Sequence, residues 1–178
     1  SSQHAYMQGF ACVWTSNNKL QEGNTIMIAS GTYTGENNTG LDINNTLSFE
    51  KYGDGEAIID AEGLNRIWTV TAATININGL TFKNGKSSSD HGGAIYIQNP
   101  LSDSTINATF INNTANSRGG AVYFNKEINN VNIYGEFINN IAYDWNPLGG
   151  ALYIAKFSNS NIDAKFINNS AGNSAGAI

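Results

Sequence analysis

The sequence FINNTANSRGGAVYF, residues 110–124, returns with small changes along the chain. Related stretches are FKNGKSSSDHGGAIYI at 82–97, FINNIAYDWNPLGGALYI at 137–154 and FINNSAGNSAGAI at 166–178. Their first phenylalanines lie 28, 27 and 29 residues apart. A period of this length is typical of solenoids, in which each unit stacks on its neighbours because it cannot bury its apolar face alone.

Alternation within the unit indicates the kind of solenoid. Ile106, Ala108 and Phe110 are apolar or small, and polar residues stand between them. A second apolar alternation, such as Ile95 and Ile97, follows each glycine pair. Period-two patterns predict strands, and the unit is too short for a propeller blade. We therefore expect an all-β, right-handed parallel β-helix of roughly six or seven rungs, stacked at the strand spacing and with the hand of the crossover rule.

Glycines and asparagines mark the corners of each predicted rung. A glycine pair lets the chain turn where a Cβ atom would clash with the next rung. The asparagines after each phenylalanine fall at another corner, where their amides can hydrogen-bond along the solenoid axis. The predicted corner residues are Gly92, Gly93, Gly119, Gly120, Gly149, Gly150, Asn113, Asn140 and Asn169.

The rest of the chain follows the same logic less strictly. Residues 1–22 contain few turn residues and are expected to form an N-terminal capping segment, since an open strand edge would otherwise template association. Residues 23–178 are expected to form the β-helix domain. Because the sequence stops within a rung, we expect that C-terminal rung to be uncapped here, and either continued in a longer parent or covered by a neighbouring subunit.

Composition argues against several classes of function. A net charge of -5, with no run of Lys or Arg, argues against a nucleic-acid partner. Cys12 is the only cysteine, the histidines are not clustered, and DGEAIIDAEG at 54–63 matches no calcium loop. No segment is long and apolar enough to span a membrane. We expect no metal, no cofactor and no membrane span in this chain.

Aromatic residues are the candidate ligand-binding residues. Tyr96, Tyr123 and Tyr153 follow the glycine pair at one offset, and alternation points them outward with an alanine beside each. Such a ladder suits sugar stacking or a protein contact, but tyrosines also stack on one another simply because they favour strands. Tyr143 and Trp145 lie in the longest loop, where they either bind a ligand or close the loop over the coil.

Asparagine glycosylation is a further possibility. Five N-x-[ST] sequons occur, and Asn37 and Asn44, in a loop-like stretch, are the candidates. Asn112 and Asn168 also carry the motif, but they sit at the predicted corner, which would hinder modification.

Catalytic residues are not predicted. A glycosidase needs two carboxyl groups about 5 to 9.5 Å apart across the scissile bond. Glu136 and Asp163 point outward on adjacent rungs, but their offsets in the repeat differ and Lys165 lies beside them. The two arginines, Arg66 and Arg118, are not near an acidic cluster in the sequence, as a pectate-type lyase would require.

The paired signatures FxxN and GGA[ILV] resemble the repeats of chlamydial polymorphic outer-membrane proteins. Together with GNTIMIASGTYTGENNTG at 23–40 and YGDGEAIIDAEG at 52–63, they make the chain resemble the adhesin-like surface proteins of methanogenic archaea. This resemblance implies a right-handed parallel β-helix, a much longer parent, and an extracellular position at the cell surface. It implies adhesion and supplies no catalytic residues.

The sequence therefore favours an extracellular, cell-surface adhesin-like module without catalytic activity, whose partners are glycans or cell-surface proteins of neighbouring cells. One alternative is a self-assembling fibre or sheath subunit that associates through the β-helix ends. A second alternative is a polysaccharide lyase or hydrolase, because parallel β-helices host these enzymes as well.

Overall fold

The computed structural model describes residues 4–7, 22–144, 146–172, 174 and 176–178. Trp145 and most of the expected capping segment lie outside the described residues. The described residues contain strands and no helix. The strands are β1 His4–Met7, β2 Asn24–Tyr33, β3 Leu41–Ile43, β4 Leu47–Asp60, β5 Trp68–Val70, β6 Ile75–Lys83, β7 Lys86–Ser87, β8 Ile95–Ile97, β9 Leu101–Ile111, β10 Thr114–Ala115, β11 Val122–Ile138, β12 Ile141–Ala142, β13 Leu152–Ser158, β14 Asn161–Ile167 and β15 Ser170–Ala171.

The strands stack in parallel, rung on rung, and form three faces. The first face consists of β1, β2, β4, β6, β9, the second half of β11, and β14. The second consists of β3, β5, β8, the start of β11, and β13, and the third of β7, β10, β12 and β15. This confirms the all-β class and the parallel solenoid. The solenoid has about five turns, and the expected six or seven rungs are not confirmed.

Phenylalanines from successive rungs stack inside the solenoid, as the alternation predicts. The ring centroids of Phe82, Phe110, Phe137 and Phe166 are separated by 5.2, 4.8 and 5.0 Å in turn. Trp68 extends this row of rings and meets Phe82 edge to face, with 4.8 Å between the ring centroids. Burying each such ring stabilises the fold by about 2 to 3 kcal/mol. Because each of these rungs contributes one ring to the stack, the phenylalanines recur once per rung in the sequence.

The alanines beside the tyrosines are a correction to the sequence expectation. Ala94, Ala121 and Ala151 are fully buried rather than exposed. The first glycine of each pair has a positive φ, for example 63° at Gly92, so the backbone reverses at the corner. Strand alternation therefore starts only after the alanine, which packs into the inner side of the corner.

A third corner bends the strands of the first face. Asp103, Asn130 and Asn159 occupy it with φ of 49°, 57° and 46°. The Nδ2 of Asn130 donates to the Oδ1 of Asp103 at 2.8 Å. The next residue, Ser104, accepts a hydrogen bond at its Oγ from the amide nitrogen of Ile75 on the neighbouring rung, at 3.0 Å. This corner separates the short strand segment before it from the longer segment that carries the outer surface of the first face.

Candidate functional site

The glycine corner is tight because neighbouring rungs touch there through their backbones. The amide nitrogen of Gly93 donates to the carbonyl oxygen of Gly120 at 3.0 Å. A Cβ atom on Gly120 would overlap the carbonyl oxygen of Gly150. Any side chain at the second glycine would thus push two rungs apart, so this surface is structural and offers no room for a ligand.

The asparagine corner is a buried ladder of side-chain amides. The Nδ2 of Asn113 donates to the Oδ1 of Asn140 at 3.0 Å, and the Nδ2 of Asn140 donates to the Oδ1 of Asn169 at 2.9 Å. Each Nδ2 also donates to the carbonyl oxygen of a phenylalanine one rung before, as Asn140 does to Phe110 at 3.0 Å. The ladder ends at Gly85, whose amide nitrogen donates to the Oδ1 of Asn113 at 2.8 Å.

The two asparagines of each pair have different environments. The second is the ladder residue, whereas the first is exposed in Asn112, Asn139 and Asn168 and adopts a positive φ of 52–55°. The sequon residues Asn112 and Asn168 are therefore the exposed members. The corner constrains their backbone but leaves their side chains exposed.

The tyrosines form a stacked ladder on the second face. The Tyr123 ring centroid lies 5.2 Å from that of Tyr96 and 5.1 Å from that of Tyr153. Tyr123 is 6% exposed, and the other two rings are half-buried. The stack runs along the solenoid axis, so the ring faces cover one another and mainly ring edges are presented to solvent.

Planar basic side chains from the preceding rung cover these tyrosines, which the sequence reasoning missed. The guanidinium of Arg66 lies 5.0 Å from the Tyr96 ring centroid, and that of Arg118 lies 5.2 Å from the Tyr153 centroid. The His91 ring stacks on Tyr123 at 4.2 Å. A signal was present, since His91 and Arg118 both stand directly before a glycine pair. The two arginine cation–π contacts and the stacked histidine ring favour a structural interpretation of the ladder.

The residues around the tyrosine ladder influence the protonation state of its members and of the side chains that cover them. Arg66 pairs with the carboxylate of Asp90 and donates from Nε to the carbonyl oxygen of Gly92 at 2.9 Å. Burial lowers the pKa of His91, and its Nδ1 accepts a hydrogen bond from the amide nitrogen of Arg118 at 3.2 Å. Burial raises the pKa of Tyr123, and the two neighbouring tyrosines raise it further. A neutral imidazole beside a neutral phenol is the consistent state at neutral pH.

The other sequence candidates lie apart from the tyrosine ladder. Tyr143 is 47% exposed on its loop, and its neighbour Trp145 is outside the described residues. Asn37 and Asn44 are both exposed, and the Oδ1 of Asn44 accepts a hydrogen bond from the Thr71 hydroxyl at 2.8 Å. The structure does not bring the three described residues, Tyr143, Asn37 and Asn44, together into one site.

A groove of about 390 Å³ lies on the outer surface of the first face, between two columns of polar side chains. We name the first the hydroxyl column; it consists of Thr25, Ser48, Asn76 and Thr105. We name the second the amide column; it consists of Glu50, Asn78, Asn107 and Tyr134. Within each column, consecutive residues are paired in register on adjacent rungs. Sequence reasoning missed this groove because its residues are not repeats of one type.

Carboxylates are not paired for catalysis at this groove. Glu50 is the only carboxylate among the described residues that line it. Of the pair considered from the sequence, Glu136 forms an exposed ion pair with Lys165 at 3.5 Å. No group of three or more His, Cys, Asp or Glu able to hold a metal occurs in the described part of the chain. The described residues also include no helix that could cross a membrane.

A known family repeat matches part of this chain's repeat unit. The Chlamydia polymorphic membrane protein repeat matches residues 107–125. This range runs from Asn107 of the amide column, through the asparagine corner and the glycine corner, to just beyond Tyr123. No curated protein and no solved structure matches the chain. The match supports the chlamydial resemblance over those residues and fits a surface repeat protein. The resemblance to archaeal surface proteins stays a prediction.

Proposed function

We propose that the chain is an extracellular, cell-surface adhesin-like module, built as a right-handed parallel β-helix and without catalytic activity. The observation that carries this proposal is the match of residues 107–125 to a repeat of chlamydial polymorphic membrane proteins, within a parallel solenoid whose following rung repeats the glycine pair as Gly149–Gly150 and the ladder asparagine as Asn140. The single carboxylate in the outer groove supports the non-catalytic part, because glycoside hydrolysis ordinarily uses two. Its partners are glycans or proteins on neighbouring cells.

Attachment of coated beads to cells tests the adhesive function. Beads carrying the folded chain are expected to attach to at least one cell type in a broad panel, and beads carrying heat-denatured chain are not. The Phe157→Ala variant is the matched folded control for nonspecific aromatic contacts, since Phe157 is exposed on β13. Equal attachment of folded and denatured chain across the whole panel would contradict adhesion.

Two further measurements separate the alternatives. Release of reducing or unsaturated sugar ends from a polysaccharide panel would contradict the non-catalytic proposal and favour a hydrolase or lyase. A mass that grows with concentration in analytical ultracentrifugation would favour end-to-end assembly instead. A fixed mass together with cell attachment is the outcome that the adhesin proposal expects.

A further inference from the structure

We propose that the groove between the hydroxyl column and the amide column binds an extended, uncharged glycan whose chain runs along the solenoid axis. The inference rests on the proposed adhesive function and gives it a site and a ligand class. The groove volume, about 390 Å³, falls in the range usual for small-ligand sites.

The geometry of the columns suits a linear polymer. Glu50 is paired with Asn78, Asn78 with Asn107, and Asn107 with Tyr134, so the amide column advances one rung at a time. Rungs are about 4.8 Å apart, so the column is about 14 Å long. The two columns stand two residues apart on each strand, which is about 7 Å. The result is a narrow trough with polar atoms at regular intervals along both sides.

Polar atoms in the trough remain available to a ligand. The Nδ2 of Asn107 donates to the Oδ1 of Asn78 at 3.1 Å, which orients both amides. Within the described part of the chain, that bond leaves the Nδ2 of Asn78 and the Oδ1 of Asn107 without a protein partner. Both side chains are exposed. Donors and acceptors held at fixed positions are what alternating sugar hydroxyls require.

Charge and aromatic content favour a neutral sugar over other ligands. The described residues lining the groove include no Lys or Arg, so an anionic polysaccharide or nucleic acid would find no counter-charge. Half-buried Tyr134, at one end of the amide column, offers a ring for the apolar face of a sugar. Glu50, at the other end, supplies a charged acceptor for sugar hydroxyls.

A peptide added as an extra strand does not fit this surface. The groove crosses the middle of the sheet, where β4, β6 and β9 each have a parallel neighbour on both sides. Their backbone groups pair along the ladders or bond to side chains of the neighbouring rung, as the amide nitrogen of Thr105 does to the Oδ1 of Asn76 at 3.0 Å. Strand addition needs an open edge, so a peptide would depend on side-chain contacts alone.

The test uses unbranched hexasaccharides of glucose, mannose, galactose and N-acetylglucosamine, in several linkages, with hyaluronan and heparin fragments as anionic probes. We expect at least one neutral hexasaccharide to shift the amide NMR signals of Asn78 and Asn107 saturably. Tyr134→Ala should weaken that binding about tenfold, and Tyr134→Phe should retain most of it. Phe157→Ala, an aromatic change at an exposed residue outside the groove, should leave the affinity unchanged.

Loss of affinity at Tyr134 must be distinguished from loss of the fold. The variant Asn78→Ala changes only an exposed side chain and should also weaken binding, while circular dichroism confirms an unchanged strand content. Binding that Tyr134→Ala and Asn78→Ala both leave intact would overturn the inference. Binding of anionic probes only, or of no sugar at all, would also overturn it.

The outcomes for the groove and for adhesion are separable. If beads carrying Tyr134→Ala attach to cells like the unsubstituted chain, and no sugar binds, the groove inference fails and the adhesin proposal stands with a protein partner. If the hexasaccharide binds but coated beads attach to no cells, the adhesin proposal fails and the groove inference stands.

Discussion

The asparagine ladder gives the sharpest prediction of stability, through the substitution Asn140→Ala. The Asn140 side chain donates to the carbonyl oxygen of Phe110 and to the Oδ1 of Asn169, at 3.0 and 2.9 Å. Its Oδ1 accepts from both the amide nitrogen and the Nδ2 of Asn113, each at 3.0 Å. Alanine removes all four hydrogen bonds from a corner that is closed to water, since Asn113 and Asn140 are fully buried.

The expected loss of stability follows from the hydrogen-bonding groups that the substitution leaves without a partner. The backbone amide of Asn113 loses its acceptor while buried, and an orphaned buried donor costs about 1 to 3 kcal/mol. The remaining bonds contribute about 1 kcal/mol each, partly offset because the Nδ2 of Asn113 keeps the carbonyl oxygen of Phe82. We expect Asn140→Ala to lower the free energy of unfolding by about 3 to 5 kcal/mol.

Urea unfolding followed by circular dichroism measures this loss. The matched control is Asn139→Gly, at the exposed neighbour whose φ is 55°; glycine accepts that conformation, so we expect a change within about 0.5 kcal/mol. Because solenoids can unfold in pieces, amide hydrogen exchange at Asn113 provides a local reading of the same corner. A loss below about 1 kcal/mol in Asn140→Ala, with unchanged exchange at Asn113, would refute the reasoning.

The glycine corner and the tyrosine ladder give three further predictions. Gly120→Ala should lower the free energy of unfolding by more than about 3 kcal/mol or prevent soluble expression, because its Cβ overlaps the next rung's backbone. Tyr123→Ala should lower the free energy of unfolding, measured in urea, by about 3 kcal/mol, whereas Tyr143→Ala should change it little because Tyr143 is exposed. The folded pKa of His91 is below its ordinary 6.5, so its contribution is present above that value and lost as the pH falls. The urea midpoint of unfolding should therefore drop between about pH 7.5 and about pH 5, because the imidazolium can no longer accept the hydrogen bond from the Arg118 amide. The drop should be smaller in the His91→Gln variant. Equal drops in the two proteins would contradict this reason.

The sequence predicts those parts of the fold in which the same residue type recurs at the same offset in successive rungs. Phe110 and Phe137 recur in one phase because they touch each other, 4.8 Å between ring centroids. The glycine pair recurs because neighbouring backbones meet there. A contact between identical residues on adjacent rungs leaves the same letter at the same offset, so the period shows it.

Other features leave a weaker signal in the sequence, because unlike residues make them. The Arg66 guanidinium lies over Tyr96, which is 30 positions later, and His91 takes the equivalent place on Tyr123. Neither pair leaves a repeated letter. The burial of Ala121 was missed for a different reason, since the positive φ of Gly119 shifts the phase of alternation, and a sequence pattern does not record backbone dihedrals.

The groove follows from this distinction. In-register stacking turns every outward position into a column along the axis, whatever its residue type. Where structure alone governs a column, stacking between like residues keeps the letter constant, as in the asparagine ladder. The amide column instead reads Glu50, Asn78, Asn107 and Tyr134, so its chemistry changes from an acid through two amides to an aromatic ring. The hydrogen bond from Asn107 to Asn78 accounts for the two amides, but it does not account for Glu50 and Tyr134 at the two ends. A ligand lying along the axis would contact each residue in turn, so it can make use of the differences that the fold does not need.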